Sequence, residues 1–324
     1  MLDANAVQGP ELRVLVTPIC QLRCTFCHNE GQPGEQNTWK GNSLIALRRV
    51  TYFSSDKVDE VLLPIKRALG VSRVHLSGGE PTLHPDIVGV VKRCREHFQV
   101  VKMTTNGVFS PELLGQLSEV LSSLVFSIHA TSWERFQQIQ GRHLPDARAE
   151  DYFTQQMGSV LLARDLGIPF KLNSVVLEKE TTLENIEFAN RLGIEIRLLR
   201  DLGNPYFSEQ IIQSIIREGD FCLEDRQMGF ADSSGYREIY SNSHQVRFTV
   251  KRIQEVYLDG MCNQCPIIAQ CKERFYGIRV EPDGRVRLCV HRDDPGVLLS
   301  VDEFLNGPLS SAVRRAYYSQ GDPL

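Results

Sequence analysis

Between residues 11 and 218 the chain repeats one unit six times: a short apolar run that reads as a strand, then a segment with helical spacing. The strands are predicted at Leu12–Val16, Ser72–Leu76, Val100–Met103, Leu124–Ile128, Phe170–Val176 and Ile194–Leu199. In the helix predicted over Lys57–Leu69, Val58, Val61, Leu62, Ile65 and Leu69 recur at helical intervals. Further helices are predicted from Pro85 to about His97, after Ser110-Pro111, over Asp151–Leu166, from a Thr182 cap to Arg191, and over Ser208–Arg217. Alternation of this kind implies a parallel sheet with right-handed crossovers. Six units fall short of the eight in a closed barrel. Periodicity alone permits an open (β/α)6 partial barrel or a doubly wound sheet.

Polar signatures follow the first three strands directly, at the strand ends where βα folds carry their ligands. Strand one runs into Cys20-Gln-Leu-Arg-Cys24-Thr-Phe-Cys27, strand two into Gly78-Gly79-Glu80-Pro81, and strand three into Thr104-Thr105-Asn106-Gly107. Three cysteines at C-x3-C-x2-C suit one face of a cubane iron–sulfur cluster, which needs four ligands. One iron is then left open to something other than protein, and an open metal position marks a reactive site. A closed zinc site is the alternative, with His28 as a conceivable fourth ligand, although a residue adjacent to Cys27 has little reach.

The cysteine loop, with Phe26 before its last cysteine, and Gly78-Gly79-Glu80-Pro81 some 50 residues later resemble the radical S-adenosylmethionine (SAM) superfamily. The resemblance implies a partial (β/α)6 TIM-like barrel. It also implies a [4Fe–4S] cluster on Cys20, Cys24 and Cys27 whose open iron chelates SAM, and reductive cleavage of SAM to methionine and a 5′-deoxyadenosyl radical that takes hydrogen from a substrate. It assigns the methionyl amine to Gly78, Gly79, Glu80 and Pro81. It assigns ribose and carboxylate contacts to Thr105, Asn106, Ser127 and His129, and a place near adenine to Phe26, Asn173 and Val175. Each of these also has a plain structural reading. Paired glycines make turns, strand-end polar residues satisfy their own backbone, and Phe26 or Asn173 can belong to a core.

After residue 219 the rhythm stops. Ser243–Val250 alternates as a strand, and Pro282-Asp283-Gly284 signals a hairpin. Around them lie Cys262, Cys265, Cys271 and Cys289. Their spacing resembles the SPASM or twitch auxiliary-cluster domains appended to radical SAM enzymes, which implies a second [4Fe–4S] cluster. A zinc ribbon also uses four cysteines, and His291 rivals Cys271 as a ligand. We expect a barrel over 1–218 and an auxiliary domain over 219–324. Within the superfamily the resemblance is to the GTP 3′,8-cyclase branch of molybdenum-cofactor synthesis, through Ile278-Arg279-Val280, Asp283-Gly284 and Cys289. That branch implies substrate contact by Arg279. It differs in using three auxiliary ligands, an Arg-rich stretch between its second and third auxiliary cysteines, and a Gly-Gly end. Here Pro-Ile-Ile-Ala-Gln follows Cys265, Cys271 is an additional thiolate, and the chain ends Gly321-Asp-Pro-Leu324, so a different substrate is expected.

Arg197 and Arg200 near the end of strand six suit a phosphate or carboxylate, or a solvated surface. Cys94 reads as inert in its helix. Cys222 has two readings: an inert thiol, or the hydrogen donor that an epimerase needs. Net charge is −4 with no basic tract beyond Arg48-Arg49 or Lys66-Arg67, which argues against a nucleic-acid polymer as partner. No apolar run approaches the roughly 20 residues of a membrane span. Met1-Leu-Asp-Ala-Asn lacks a signal peptide's features, and nine cysteines without secretion suggest metal binding in a reducing cytoplasm. We therefore expect a cytoplasmic enzyme acting on a nucleotide, nucleoside or sugar-derived intermediate by cyclisation, dehydrogenation or epimerisation, with electrons from a flavodoxin or ferredoxin. One rival is a maturase of a ribosomal peptide, against which a core starting at residue 11 leaves no room for an N-terminal recognition domain. The other is a non-catalytic zinc-binding module.

Overall fold

The computed structural model describes residues 11–27, 50–228, 235–253, 256–263, 265–271, 274–275, 277–292 and 294–318. His28, residues 31–42 and both termini lie outside them. The six expected strands are present as β1 (Glu11–Leu15), β2 (Arg73–Ser77), β3 (Val100–Thr105), β4 (Ser123–Ser127), β5 (Phe170–Val176) and β6 (Ile196–Arg200). They pair in sequence order, every pair parallel.

The sheet does not stop at six strands. From the C-terminal third come β7 (Cys222–Met228), β8 (Gly235–Ser241), β9 (Arg247–Ile253), β10 (Arg279–Val280), β11 (Val286–Arg287) and β12 (Leu298–Leu299). Strand β9 pairs parallel with β6, and β10 pairs parallel with β1. The result is one open 12-stranded sheet, ordered β12-β11-β10-β1-β2-β3-β4-β5-β6-β9-β8-β7. It curves without closing, as a partial barrel, and residues from both the 1–218 and 219–324 stretches flank its mouth.

Side chains alternate across each strand, and here the two faces differ sharply. Leu12 and Val14 of β1, Val74 and Leu76 of β2, and Val101 and Met103 of β3 join the apolar core. That core packs against the crossover helices α1 (Leu63–Leu69), α2 (Ile87–His97), α3 (Pro111–Ser118), α5 (Asp146–Asp165), α6 (Lys179–Leu192) and α7 (Pro205–Glu218). Each such side chain, fully buried, contributes about 1.5–3 kcal/mol. On the other face Arg279, Arg13, His75 and Lys102 lie in register across four strands. Glu11 stands beneath, 3.1 Å from His75, 3.7 Å from Arg73 and 3.8 Å from Lys102. The inner face is therefore charged, and one carboxylate offsets the cations at its lower end.

Several helix boundaries differ from expectation for identifiable reasons. The first helix begins as a π-helical turn over Val58–Leu62, where the Leu63 N–H reaches the Val58 carbonyl. Pro64 has no N–H to continue an α-pattern there. Thr182 is inside α6, not its cap: its hydroxyl donates back to the Glu178 carbonyl at 2.6 Å. Helix α5 starts at Asp146 behind Pro145, five residues earlier than expected. Ser110 caps α3 as expected. Helix α4 (Trp133–Ile139), capped by Ser132, has no counterpart in the sequence reading. Seven residues are too few to show a helical period. Helices α8 (Val301–Asn306) and α9 (Ser310–Tyr318) are the last elements of the described residues.

Candidate active site

At the C-terminal ends of the strands opens a cavity of about 260 Å³. Its wall brings together Cys20, Cys24, Cys27, Phe26, Gly78, Gly79, Glu80, Thr105, Asn106, Ser127, His129, Asn173, Val175, Arg197, Arg200 and Arg279. Pro81 is not part of it; it opens a buried 3-10 turn behind Glu80. Cys222, expected in a loop, instead begins β7 at the far edge of the sheet, exposed and outside the cavity wall.

The two glycines on the cavity wall also pack against the protein's own backbone. A Cβ on Gly78 would stand 2.4 Å from the Thr17 carbonyl oxygen, and one on Gly79 2.2 Å from that of Ile19. Gly78 also has φ +144°. The close approach is to the protein's own backbone. It lets the Gly79 and Glu80 N–H groups donate to Thr17 and Ile19, both at 2.7 Å, which fixes the strand leading into the cysteine loop.

Glu80, 1% exposed, collects donors rather than standing bare. Its Oε1 accepts from the Thr82 hydroxyl and the Thr105 hydroxyl, each at 2.7 Å, and from the Thr82 N–H at 3.1 Å. Its Oε2 accepts the Asn106 N–H at 2.7 Å. Burial still raises its pKa, against all four of these bonds. A ligand ammonium would complete the charge balance. Asn106 in turn reaches the cysteine loop, donating to Gln21 at 3.3 Å and to the Cys20 sulfur at 3.8 Å.

Burial pushes the Cys20 thiol up to about 12, helped by the Glu80 carboxylate. Cys24 is raised well above the usual thiol range by burial first, then by the Cys20 and Cys27 sulfurs, with the Gln140 side chain working against the rise. Burial and neighbouring negative charge disfavour the thiolates of Cys20 and Cys24, and iron would supply the positive charge that stabilises them. The donor set fits a cluster. His129 is held neutral, its pKa lowered to about 3 by burial. Its Nδ1 accepts the Val175 N–H at 3.0 Å, so the ring proton sits on Nε2. Phe26 packs edge-on against it, with ring centroids 4.5 Å apart. Asn173 accepts from Arg197 at 2.9 Å, and Arg197 is almost fully buried rather than solvated.

Sequence reasoning missed Arg13, Lys251 and Gln140, all on the cavity wall. Arg13 carried a signal, a lone cation inside the apolar run Leu12–Val16. Lys251 carried none, because only the β6–β9 pairing brings it to the mouth.

Cys262, Cys265, Cys271 and Cys289 line a second, smaller cavity with Tyr257, Arg274, His291 and Arg292. Among the described residues no wall residue is shared with the first cavity.

The family model described as "Radical SAM superfamily" matches residues 14–192. The chain belongs to the radical SAM superfamily. It is a radical SAM enzyme, and the superfamily's [4Fe–4S] cluster and SAM are its cofactors. A protein named "Probable GTP 3',8-cyclase" from Saccharolobus islandicus (strain M.14.25 / Kamchatka #1) is 28% identical, over 97% of this chain and 92% of its own length. One of the same name from Sulfurisphaera tokodaii (strain DSM 16993 / JCM 10545 / NBRC 100140 / 7) is 27% identical, over 98% and 93%. Among solved structures, Streptococcus suis SuiB bound to S-adenosylmethionine superposes with TM-score 0.60 at 14% identity, covering 96% of this chain and 69% of that one. Native anSMEcpe with bound AdoMet gives TM-score 0.54 at 15% identity, covering 95% and 84%. These two likenesses are of fold, and they agree with the open barrel. Among the described residues no helix is long and apolar enough to cross a membrane.

Proposed function

We propose that this radical SAM enzyme acts on a small, multiply anionic metabolite of nucleotide type. The observation that carries the reading is that Arg13, Arg197, Arg200, Lys251 and Arg279 share one cavity wall with the three cysteines and Glu80. Among the described residues, Asp201 is the other acidic side chain on that wall. Five cations around two carboxylates favour phosphate groups, which arginine binds through paired N–H donors. The name borne by the curated relatives, probable GTP 3',8-cyclase, points the same way.

In this reading Cys20, Cys24 and Cys27 hold the first cluster, and Glu80 receives the SAM ammonium. When bound, cluster and SAM together supply a carbon radical able to take hydrogen from an unactivated C–H bond. The chain's own residues orient and enclose. Thr105 and Asn106 keep Glu80 in place, and Phe26 with neutral His129 forms the wall beside Asn173 and Val175. Ser127 completes that wall, and the His129 Nε2 proton is available to an acceptor on the ligand. The basic residues fix the anionic end of the substrate.

Cys262, Cys265, Cys271 and Cys289 hold a second [4Fe–4S] cluster with four thiolates. Its separate cavity supports a closed cube that relays electrons or braces the fold, distinct from a cluster that ligates substrate. An external one-electron donor such as a flavodoxin or ferredoxin completes the system. The test is anaerobic incubation of the reconstituted enzyme with SAM, reductant and a panel of nucleoside triphosphates, nucleosides and sugar phosphates. Faster formation of 5′-deoxyadenosine with one phosphorylated compound, and its conversion, is expected. Stimulation by uncharged nucleosides alone would reject the anionic-substrate reading.

A further inference from the structure

Gln140 occupies an unusual place. It follows α4, and the backbone there grips the cysteine loop: the Gln140 carbonyl accepts the Arg23 N–H and the Ile139 carbonyl accepts the Thr25 N–H, both at 2.9 Å. Cys24 is thus held between two bonds to the end of one short helix. The Gln140 side chain is 0% exposed and lines the cavity beside Cys20, Cys24 and Cys27. It faces Cys24 as a side-chain hydrogen-bond donor would, favouring the thiolate, and among the described residues neither Nε2 nor Oε1 has another hydrogen-bond partner. A buried amide left without partners is costly, and such a group in a native site calls for a ligand to satisfy it. The interaction it makes on that wall is with the Cys24 sulfur.

We infer that the Gln140 side-chain amide donates a hydrogen bond to the sulfur of the first cluster at Cys24 and so sets that cluster's reduction potential. Gln140 is a positioning and tuning residue: it touches the cluster's sulfur and takes no part in bond cleavage. Sulfur carries more negative charge when the cluster is reduced, so an N–H donor stabilises the reduced form and raises the potential. The amide does this without adding a formal charge to a site that already holds Glu80. The inference rests on the assignment of the first cluster to Cys20, Cys24 and Cys27.

The experiment is a redox titration of reconstituted holoenzyme followed by electron paramagnetic resonance, comparing wild type with Gln140→Leu. The signal that changes on adding SAM identifies the first cluster. Loss of the donor is expected to lower the reduced-to-oxidised ratio at a fixed potential about tenfold, a shift of roughly 59 mV to more negative values for one electron. In wild type made with side-chain 15N-glutamine, the reduced cluster should show a nitrogen coupling that the leucine variant lacks. An unmoved potential, or a coupling that survives in Gln140→Leu, overturns the inference. If the leucine variant holds no cluster, Gln140→Met keeps the volume without the donor, and the labelled wild type still decides: no glutamine coupling overturns it. Failure of the underlying assignment looks different, since the SAM-sensitive signal would then persist in Cys24→Ala.

Discussion

Gly79 lies so close to Ile19 that a Cβ added to it would meet the Ile19 carbonyl oxygen at 2.2 Å. Because the Glu80 N–H bonds that same oxygen, the contact couples the SAM-side loop to the cysteine loop. Gly79→Ala is expected to destabilise the fold by about 1–3 kcal/mol and to lower iron bound per chain. Gly158, inside α5 with nothing within 4 Å of its Cβ position, is the control. Gly158→Ala should stabilise by roughly 0.5–1 kcal/mol. Thermal melts and iron analysis check both, and equal effects would remove the coupling argument.

His129 gives the protein an acid-sensitive element. Its pKa falls from 6.5 when exposed to about 3 when folded, through burial. A depressed folded pKa contributes stability that is present above 6.5 and lost as pH falls from there toward about 3. A tenfold weaker hold on the proton corresponds to about 1.4 kcal/mol, so the loss amounts to a few kcal/mol at the acid end. Melting temperatures of apo-protein between neutral and acid pH should fall more steeply for wild type than for His129→Gln. Parallel curves would show that the ring does not titrate this way.

Arg279 and Lys251 stand on strands from opposite flanks of the barrel, β10 and β9. Replacing either by alanine should weaken binding of the phosphorylated compound that stimulates SAM cleavage roughly tenfold or more, the worth of one charge-assisted hydrogen bond at about 1.5–3 kcal/mol. Arg285, on the exposed hairpin turn and paired with Asp283, should be silent when replaced. Calorimetry with that compound measures this. If all three variants bind alike, the cavity cations do not read a phosphate.

Cys271 shares its cavity with Cys262, Cys265 and Cys289. Cys271→Ala is expected to cost the second cluster, about four irons per chain, while SAM-dependent signals persist. His291 is exposed despite standing two residues after Cys289, and His291→Ala should retain full iron. Unchanged iron and spectra in Cys271→Ala would reassign the fourth ligand.

Signals that are contiguous in the chain were legible without a structure. A loop of three thiols within eight residues, a Gly-Gly-Glu-Pro turn and a strand-end Thr-Thr-Asn-Gly each keep their chemistry in one short segment, and six apolar runs spaced by helices dictate a parallel sheet. Tertiary structure alone decided what those segments meet. The glycines were readable, but their contact with Thr17 and Ile19 was not, because it depends on how β1 and β2 sit side by side. Gln140 faces Cys24 across more than a hundred residues, from a helix too short to announce itself. Arg279 and Lys251 reach one cavity only because β10 pairs with β1 and β9 with β6, flanking the barrel from both ends of the sheet. Backbone hydrogen bonds between distant strands carry no local sequence signature, so the cationic wall exists only once the chain has folded.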